Sequence, residues 1–158
     1  MGYMSTDLIW RTSSTGLGDT ALLAESLGKR LHGGETIELV SDVGGGKTTF
    51  VKGLAKGFGS SDNVASPSFT ISREYVAGER TMYHFDFYRL NDPGIVANEL
   101  AEVVYDEKAV VVVEWADIVE DVLPADRLTI TIKSTGDETR VFTVSYPESL
   151  AYLIPENT

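Results

Sequence analysis

The chain has 158 residues, of which 42% are hydrophobic and 23% are charged, and this composition is typical of one globular domain with a substantial core. It contains no cysteine, which excludes a disulfide framework, a thiolate metal site and a cysteine nucleophile. Its net charge of -11 opposes autonomous binding to nucleic acid, which requires a basic surface. An acidic surface fits either a basic protein partner or a role in solubility alone.

We therefore expect a single domain over 1–158, with frayed ends at about 1–6 and 155–158. No apolar run reaches transmembrane length, and the first residues lack the basic-then-apolar layout of a signal peptide. These features predict a cytoplasmic protein with no membrane association.

Hydrophobic periodicity and turn residues predict alternating helices and strands. In chain order they are a strand at 8–10, a helix at 20–31, a strand at 36–40, a helix at 48–57, strands at 69–76 and 81–90, a helix at about 92–104, a strand at 109–113, strands at 128–133 and 140–145, and an apolar stretch at 150–154. The run Ala109-Val110-Val111-Val112-Val113 is typical of a central strand covered on both faces. The order predicts an α/β fold in three layers, with a mixed, mostly parallel sheet, helices on both faces and antiparallel hairpins.

The strongest motif is a glycine-rich loop between the strand at 36–40 and the helix that follows, Gly44-Gly45-Gly46-Lys47-Thr48-Thr49. Glycines allow backbone N–H groups to surround an anion, and the helix adds its positive end. Lys47 would place a charge on the outer phosphates, and Thr48 would offer a hydroxyl to Mg²⁺. The motif predicts a P-loop that binds a nucleoside triphosphate; the alternative is a glycine-rich hairpin with an exposed lysine.

One position departs from the full pattern G-x-x-x-x-G-K-[ST], because Ser41 stands where the first glycine belongs. A Cβ atom at the strand exit either strains the loop or is absorbed by the three glycines. Nucleotide binding is still expected.

A P-loop needs a carboxylate near the metal and a group that orients water before it can hydrolyse a nucleotide. Glu114 directly follows the strand at 109–113, the pattern of a Walker B acid; the alternative is an ordinary charge where a buried strand reaches solvent. Asp86 shares a strand face with His84 and Tyr88 through period-two alternation, and a solvated face is an equal alternative.

Other polar residues allow two interpretations each. Asp42 lies inside the phosphate loop, where we favour a turn-stabilising role over contact with the metal or water. We interpret His84 as a packed or hydrogen-bonded strand residue rather than a metal ligand. Trp115 lies either beside the nucleotide or in the core. The loop at 66–69 is either a sensor of the γ-phosphate or a plain turn.

Four segments resemble motifs of one family, TsaE (YjeE). The loop at 41–50 resembles its G-D-L-G-A-G-K-T-T-F. The segment Ser66-Pro67-Ser68-Phe69-Thr70 resembles S-P-T-F-T. Residues 84–90, His-Phe-Asp-Phe-Tyr-Arg-Leu, are similar to H-F-D-L-Y-R-L, and residues 113–116, Val-Glu-Trp-Ala, to I/V-E-W-P/A. The resemblance runs from about 8 to 145, and the combination of four motifs is specific.

The resemblance implies a P-loop NTPase-like fold and a role for each matched residue. Phosphates would be bound by the loop, whose candidate residues are Asp42, Val43, Gly44, Gly45, Gly46, Lys47, Thr48 and Thr49. Mg²⁺ would be held by Thr48 and Glu114, one of them directly and the other directly or through water, with Asp86 of the second switch as a further ligand and catalytic group. The loop at 66–69 would be the first switch. Thr20, Trp115 and Arg140 would contact the nucleotide.

The family is a bacterial P-loop ATPase that works with TsaB and TsaD to make N6-threonylcarbamoyladenosine (t6A37) in tRNA. The resemblance implies that ATP hydrolysis, slow alone and faster with partners, resets the TsaB–TsaD complex, and that tRNA is met only through that complex. Two rivals remain: a small P-loop kinase, although the arginines here form no lid-like cluster, and a nucleotide-dependent binding module with little hydrolysis.

Overall fold

The computed structural model describes residues 7–41, 46–61, 72–88 and 94–155. Within these ranges the strands are β1 (Leu8–Ser14), β2 (Thr36–Ser41), β3 (Ser72–Ala77), β4 (Arg80–Asp86), β5 (Ala109–Glu114), β6 (Leu128–Ser134) and β7 (Arg140–Tyr146). The α-helices are α1 (Leu17–Lys29), α2 (Lys47–Phe58) and α3 (Gly94–Val103), and short 3₁₀ helices span Ala116–Val119 and Glu148–Leu153. No helix in this described part of the chain is long and apolar enough to cross a bilayer.

All seven strands form one sheet in the order β1-β7-β6-β2-β5-β4-β3. Strands β6, β2, β5 and β4 run parallel to their neighbours in this central group. Strands β3 and β7 run the other way and close the hairpins β3–β4 and β6–β7, and β1 pairs with β7 at one edge. The mixed, mostly parallel sheet with antiparallel hairpins is therefore confirmed.

Strand β5 shows why the fold has three layers, because its residues alternate between two cores. Val110 and Val112 pack into a cluster that includes side chains of α1 and α2. Val111 and Val113 pack into a second cluster with α3 and the 3₁₀ helix at Ala116–Val119. Every residue of β5 is buried, as a strand covered on both faces requires. The prediction of helices on both faces is confirmed.

Three predicted boundaries within the described residues differ from the observed ones by three residues or more. Strand β1 runs to Ser14 rather than residue 10, because its polar second half pairs with β7. Helix α1 begins at Leu17 rather than residue 20, where Asp19 accepts bonds from the N–H and hydroxyl of Thr15. Strand β4 ends at Asp86 rather than residue 90, because its carboxylate accepts a bond from the N–H of Tyr88 and turns the chain. Segments predicted at 62–71 and 89–93 lie outside the described residues.

Helices α1 and α2 approach each other very closely along a seam of small residues. A Cβ atom on Gly28 would lie 2.2 Å from the carbonyl oxygen of Leu54, and one on Gly57 would lie 2.2 Å from the carbonyl oxygen of Glu25. No side chain fits at such a distance, so glycine is required at both positions. The close approach fixes α2, which follows the phosphate loop, against α1.

Candidate functional site

The predicted site residues that fall within the described ranges gather at the carboxyl ends of the parallel strands. Ser41 ends β2, Asp86 ends β4 and Glu114 ends β5. Asp86 and Glu114 are partners in the β4–β5 ladder, so their Cα atoms lie side by side. Lys47 begins α2 beside these strand ends. This is the edge where α/β sheets bind ligands.

The phosphate loop is described at its last residue, Gly46, while Asp42, Val43, Gly44 and Gly45 lie outside the described residues. Gly46 has φ of 101°, a left-handed conformation that glycine adopts without strain, and its carbonyl accepts the first helical bond, from Phe50 at 2.8 Å. Helix α2 therefore starts at Lys47, and its first turn carries no acidic residue. The positive end of this helix favours an anion.

Lys47, Glu114 and His84 form a chain of three charged or ionisable side chains. The Lys47 ammonium lies 3.0 Å from Oε1 of Glu114, and Nε2 of His84 lies 2.5 Å from Oε2. Glu114 is 5% exposed, so this acid is not an ordinary charge at the point where a strand reaches solvent. Burial raises the pKa of Glu114, but the hydrogen bonds and charges of His84 and Lys47 outweigh burial and hold that pKa below its usual value.

Ser41 fits the backbone where it stands. It is the last residue of β2 and pairs with Ile132 of β6. Among the described residues other than glycine, only Trp115 has a positive φ, so the backbone at Ser41 does not require glycine. Of the two alternatives for a Cβ at the strand exit, strain is absent at Ser41 itself, and residues 42–45 of the loop lie outside the described ranges.

An aromatic wall stands beside the lysine. The rings of Tyr88 and Trp115 are 4.9 Å apart, and the Lys47 ammonium lies 5.6 Å from the centre of the Trp115 ring. Together with Asp86 these residues line a cavity of about 130 Å³. Tyr88 and Trp115 are each more than 40% exposed, so they form the rim of the site rather than its core.

Trp115 itself has a strained backbone, with φ of 58° and ψ of 54°. A left-handed conformation at a bulky residue costs roughly 1–2 kcal/mol, and such strain is common at binding sites. It turns the chain sharply after Glu114 and directs the indole toward Lys47. A second cavity of about 130 Å³ shares Lys47 and Trp115 and is also lined by Asp117 and the end of β2.

Arg140 and Thr20 lie on the opposite side of the phosphate loop from β5. A Cβ atom on Gly46 would lie 3.7 Å from Nε of Arg140, and that Nε is buried with no hydrogen-bond partner in the described part of the chain. Thr20 is buried, and its hydroxyl is 2.9 Å from that of Ser14, the Cα partner of Arg140. Arg140 therefore has a free donor beside the loop, whereas Thr20 lies beneath the surface.

The hydroxyl residues of the loop differ in exposure. Thr48 is exposed at the second position of α2, and Thr49 is partly buried behind it. In the described ranges no group of three His, Asp or Glu side chains is arranged to hold a metal by itself. A metal here would need oxygen atoms from a bound phosphate in addition to Thr48 and a carboxylate.

Sequence reasoning interpreted His84 only as a packed or hydrogen-bonded strand residue and did not single out Tyr88. The structure places both with the site: His84 bonds to Glu114, and Tyr88 lines a cavity with Asp86. The signal was present, because 84, 86 and 88 alternate with the core residues Phe85 and Phe87. Period-two alternation gives a shared face, but it does not give the cross-strand partner.

The chain is similar to known proteins over most of its length. Residues 15–142 match the family model described as "Threonylcarbamoyl adenosine biosynthesis protein TsaE". The chain is 39% identical over 140 residues to the tRNA threonylcarbamoyladenosine biosynthesis protein TsaE of Bacillus subtilis (strain 168), covering 86% of this chain and 84% of the relative. It is 35% identical over 135 residues to the protein of the same name from Treponema pallidum, covering 85% and 99%.

Among solved structures, the chain is similar to the crystal structure of YdiB from Bacillus subtilis. The TM-score is 0.74 at 34% sequence identity, and the match covers 99% of this chain and 96% of the other. The likeness therefore extends over the whole sheet and both helical layers, and it includes the strand ends where Lys47, Asp86 and Glu114 meet.

Proposed function

The chain belongs to the TsaE family of threonylcarbamoyl adenosine biosynthesis proteins, and from this we propose that it is the ATP-binding and ATP-hydrolysing component of t6A37 formation on tRNA. In this proposal it acts on the TsaB–TsaD complex and allows that complex to turn over repeatedly. It does not form the modified base itself.

The observation that carries the proposal is the pairing of Lys47 with Glu114. A lysine at the start of the helix after a glycine-rich loop is placed to meet the outer phosphates. A carboxylate 3.0 Å from it, at the end of a buried central strand, is placed to meet the metal or the attacking water. When ATP binds, Lys47 exchanges this carboxylate for phosphate oxygens, and Glu114 becomes available for catalysis.

The residues present fit Mg²⁺. An exposed Thr48 hydroxyl and the carboxylates of Glu114 and Asp86 are the hard oxygen ligands that Mg²⁺ prefers, and Mg²⁺ usually takes only one or two of these from a protein. When bound, the ion neutralises charge that develops on the β- and γ-phosphates. Arg140, whose Nε lies beside Gly46 and has no hydrogen-bond partner among the described residues, supports binding of the nucleotide in this proposal.

Stimulation by partners is proposed from the family resemblance. In the described ranges no arginine bonds to Glu114, and Arg89, which follows Tyr88, lies outside those ranges. An arginine finger contributes about 10³ to 10⁵ in rate in comparable enzymes. We expect slow hydrolysis by the chain alone and faster hydrolysis when a partner completes the site. The net charge of -11 favours docking on proteins over direct binding of tRNA.

The test is steady-state ATP hydrolysis by the chain alone and with the matching TsaB–TsaD pair, together with t6A formation on tRNA over several turnovers. The proposal expects hydrolysis to rise with the pair and repeated modification to require this chain. Equal hydrolysis rates with and without the pair, or repeated modification without the chain, would overturn it.

The same assay separates the two rivals. A small P-loop kinase would consume ATP faster when a small hydroxyl- or phosphate-bearing acceptor is added, and it would do so without the partner pair. A binding module would bind ATP tightly and show no turnover, even with the partners present. Transfer of labelled γ-phosphate to water rather than to an acceptor distinguishes the ATPase from both.

A further inference from the structure

The two carboxylate oxygens of Glu114 have different partners. Oε1 faces the Lys47 ammonium at 3.0 Å, and Oε2 faces Nε2 of His84 at 2.5 Å. These partners differ in freedom. Lys47 has a flexible side chain that is 20% exposed at the start of a helix, whereas the His84 side chain is 12% exposed and stands on the sheet.

The backbone holds the histidine in place. His84 is the Cα partner of Val112 in the β4–β5 ladder, two residues before the pair formed by Asp86 and Glu114. Its neighbours along β4, Met82 and Phe85, are 0% and 2% exposed. A ring mounted on a strand fixed by such packing cannot follow a ligand, while the lysine can.

From this asymmetry we propose that His84 is the positioning residue for Glu114. It holds Oε2 throughout the cycle, so that only Oε1 changes partner when Lys47 moves to the phosphates of a bound nucleotide. The inference rests on the proposed function, because the exchange at Oε1 requires a phosphate ligand. It gives His84 a role in the site in addition to its place in strand β4.

The physical reason for such a residue is that a carboxylate released by its lysine would otherwise turn about its side-chain bonds. When Oε2 is held by His84, the carboxylate cannot rotate freely, and Oε1 keeps a fixed direction. Partners that orient a ligating or catalytic carboxylate in this way typically contribute about tenfold to a hundredfold in metal affinity or activity.

The test compares three variants. His84→Leu removes the N–H that bonds to Oε2. His84→Gln keeps an amide nitrogen near the position of Nε2 and therefore keeps a donor. His32→Gln is the matched control, because His32 is exposed near the opposite edge of the sheet, where its ring packs on Tyr152 at 5.0 Å.

Four quantities are measured: ATP affinity with Mg²⁺, ATP affinity with chelator, kcat and KM. For His84→Leu we expect affinity in chelator within about twofold of the wild type and a gain in affinity from Mg²⁺ that is smaller by about tenfold. KM should rise by a similar factor, because it follows affinity when hydrolysis is slow, and kcat should fall by about tenfold to a hundredfold. His84→Gln should recover most of the loss. His32→Gln should match the wild type in all four quantities.

If His84→Leu fails to fold, His84→Asn replaces it, because the shorter amide does not reach Oε2. We then expect kcat and the gain in affinity from Mg²⁺ to fall in His84→Asn and to stay near the wild-type values in His84→Gln. Normal kcat and a normal Mg²⁺ gain in the Leu or Asn variant would overturn the inference alone. So would equal losses in Gln and Leu. A wild-type chain that neither binds nor hydrolyses ATP, with or without partners, would overturn the proposed function, and the inference with it.

Discussion

The sheet holds its buried charges in opposite ways at the amino ends and at the carboxyl ends of its central strands, which are called here the amino edge and the carboxyl edge. At the amino edge, before β2, the carboxylate of Glu35 accepts hydrogen bonds from the backbone N–H groups of His32 and Gly33 and from the hydroxyl of Tyr152, at 2.9, 2.7 and 2.6 Å. At the carboxyl ends of the strands, the partners of Glu114 among the described residues are the side chains of Lys47 and His84. Both glutamates are buried, at 4% and 5% exposed.

The cations differ in the same way. Arg80, at the amino end of β4, donates to the carbonyl oxygens of Leu31, His32 and Phe58, where α1 and α2 end, and it lies 4.3 Å from the ring of Phe58. Lys47, at the carboxyl edge, has a single carboxylate partner in the described ranges. Charges bonded to backbone are locked in place, whereas charges bonded to flexible side chains can exchange partners when a ligand arrives. The comparison predicts that substitutions at the amino edge affect stability and those at the carboxyl edge affect chemistry.

The largest effect is expected from Lys47→Ala. Removing the charge that meets the phosphates should lower kcat/KM for ATP hydrolysis by at least about a hundredfold, because charge stabilisation is the main source of catalysis in phosphoryl transfer. Lys56→Ala, at the far end of the same helix, is the matched control: the Lys56 side chain is 73% exposed, and its ammonium lies 3.7 Å from Oε1 of Glu25. Hydrolysis that falls equally in both variants would contradict the assignment of Lys47.

Next in size is Arg80→Ala at the amino edge. Three helix-end carbonyls lose a charged donor, so we expect the free energy of unfolding to fall by about 2–3 kcal/mol, measured by chemical denaturation. Arg73→Ala, an exposed position on β3, should change it by less than about 0.5 kcal/mol. ATP affinity of the folded Arg80→Ala protein should stay unchanged. A loss of affinity would contradict the prediction that substitutions at the amino edge affect stability alone.

A smaller, pH-dependent effect is expected from Tyr152→Phe. Burial and the bond to Glu35 raise the pKa of Tyr152 above its ordinary value of 10.0, so the folded chain favours the neutral phenol. The stabilisation is complete below pH about 10 and is lost as the pH rises toward the folded pKa. Tyr152→Phe should lower the free energy of unfolding by about 1 kcal/mol at neutral pH. Above pH about 10 the free energy of unfolding should fall less steeply in the variant than in the wild type. Tyr105→Phe, which is exposed, is the control.

The smallest effect is expected from Ser41→Gly. Because Ser41 lies in β2 with a backbone that does not require glycine, restoring the usual loop residue should change ATP affinity by less than about twofold, or about 0.4 kcal/mol. Titration calorimetry measures this directly. A tenfold gain in affinity would mean that the serine side chain weakens the loop.

Periodicity and motif spacing were sufficient to predict the fold. The alternation of strands and helices gave the three layers, and the all-β-branched run gave the central strand β5. Strand β1 was predicted too short because Thr12, Ser13 and Ser14 are polar, and only their pairing with β7, more than a hundred residues away, makes them a strand. Local patterns cannot contain such long-range pairing.

The candidate site was predicted in position but not in its connections. The glycine loop and the acid after a strand identified Lys47 and Glu114, since those signals are local. The bond from His84 to Glu114 depends on the β4–β5 register, and the low pKa of Glu114 depends on burial and two partners. Spacing along a chain specifies none of these. Roles for Thr20, Asp86 and Arg140 toward the nucleotide stay predictions.

The glycine seam between α1 and α2 has a mechanical consequence. With carbonyl oxygens only 2.2 Å from where the Cβ atoms of Gly28 and Gly57 would stand, the two helices cannot slide or roll without collision. The helix that begins at Lys47 and the helix that carries Thr20 therefore pack as one stiff unit. We expect a displacement of α2 to be shared by α1, rather than being absorbed by soft packing between them.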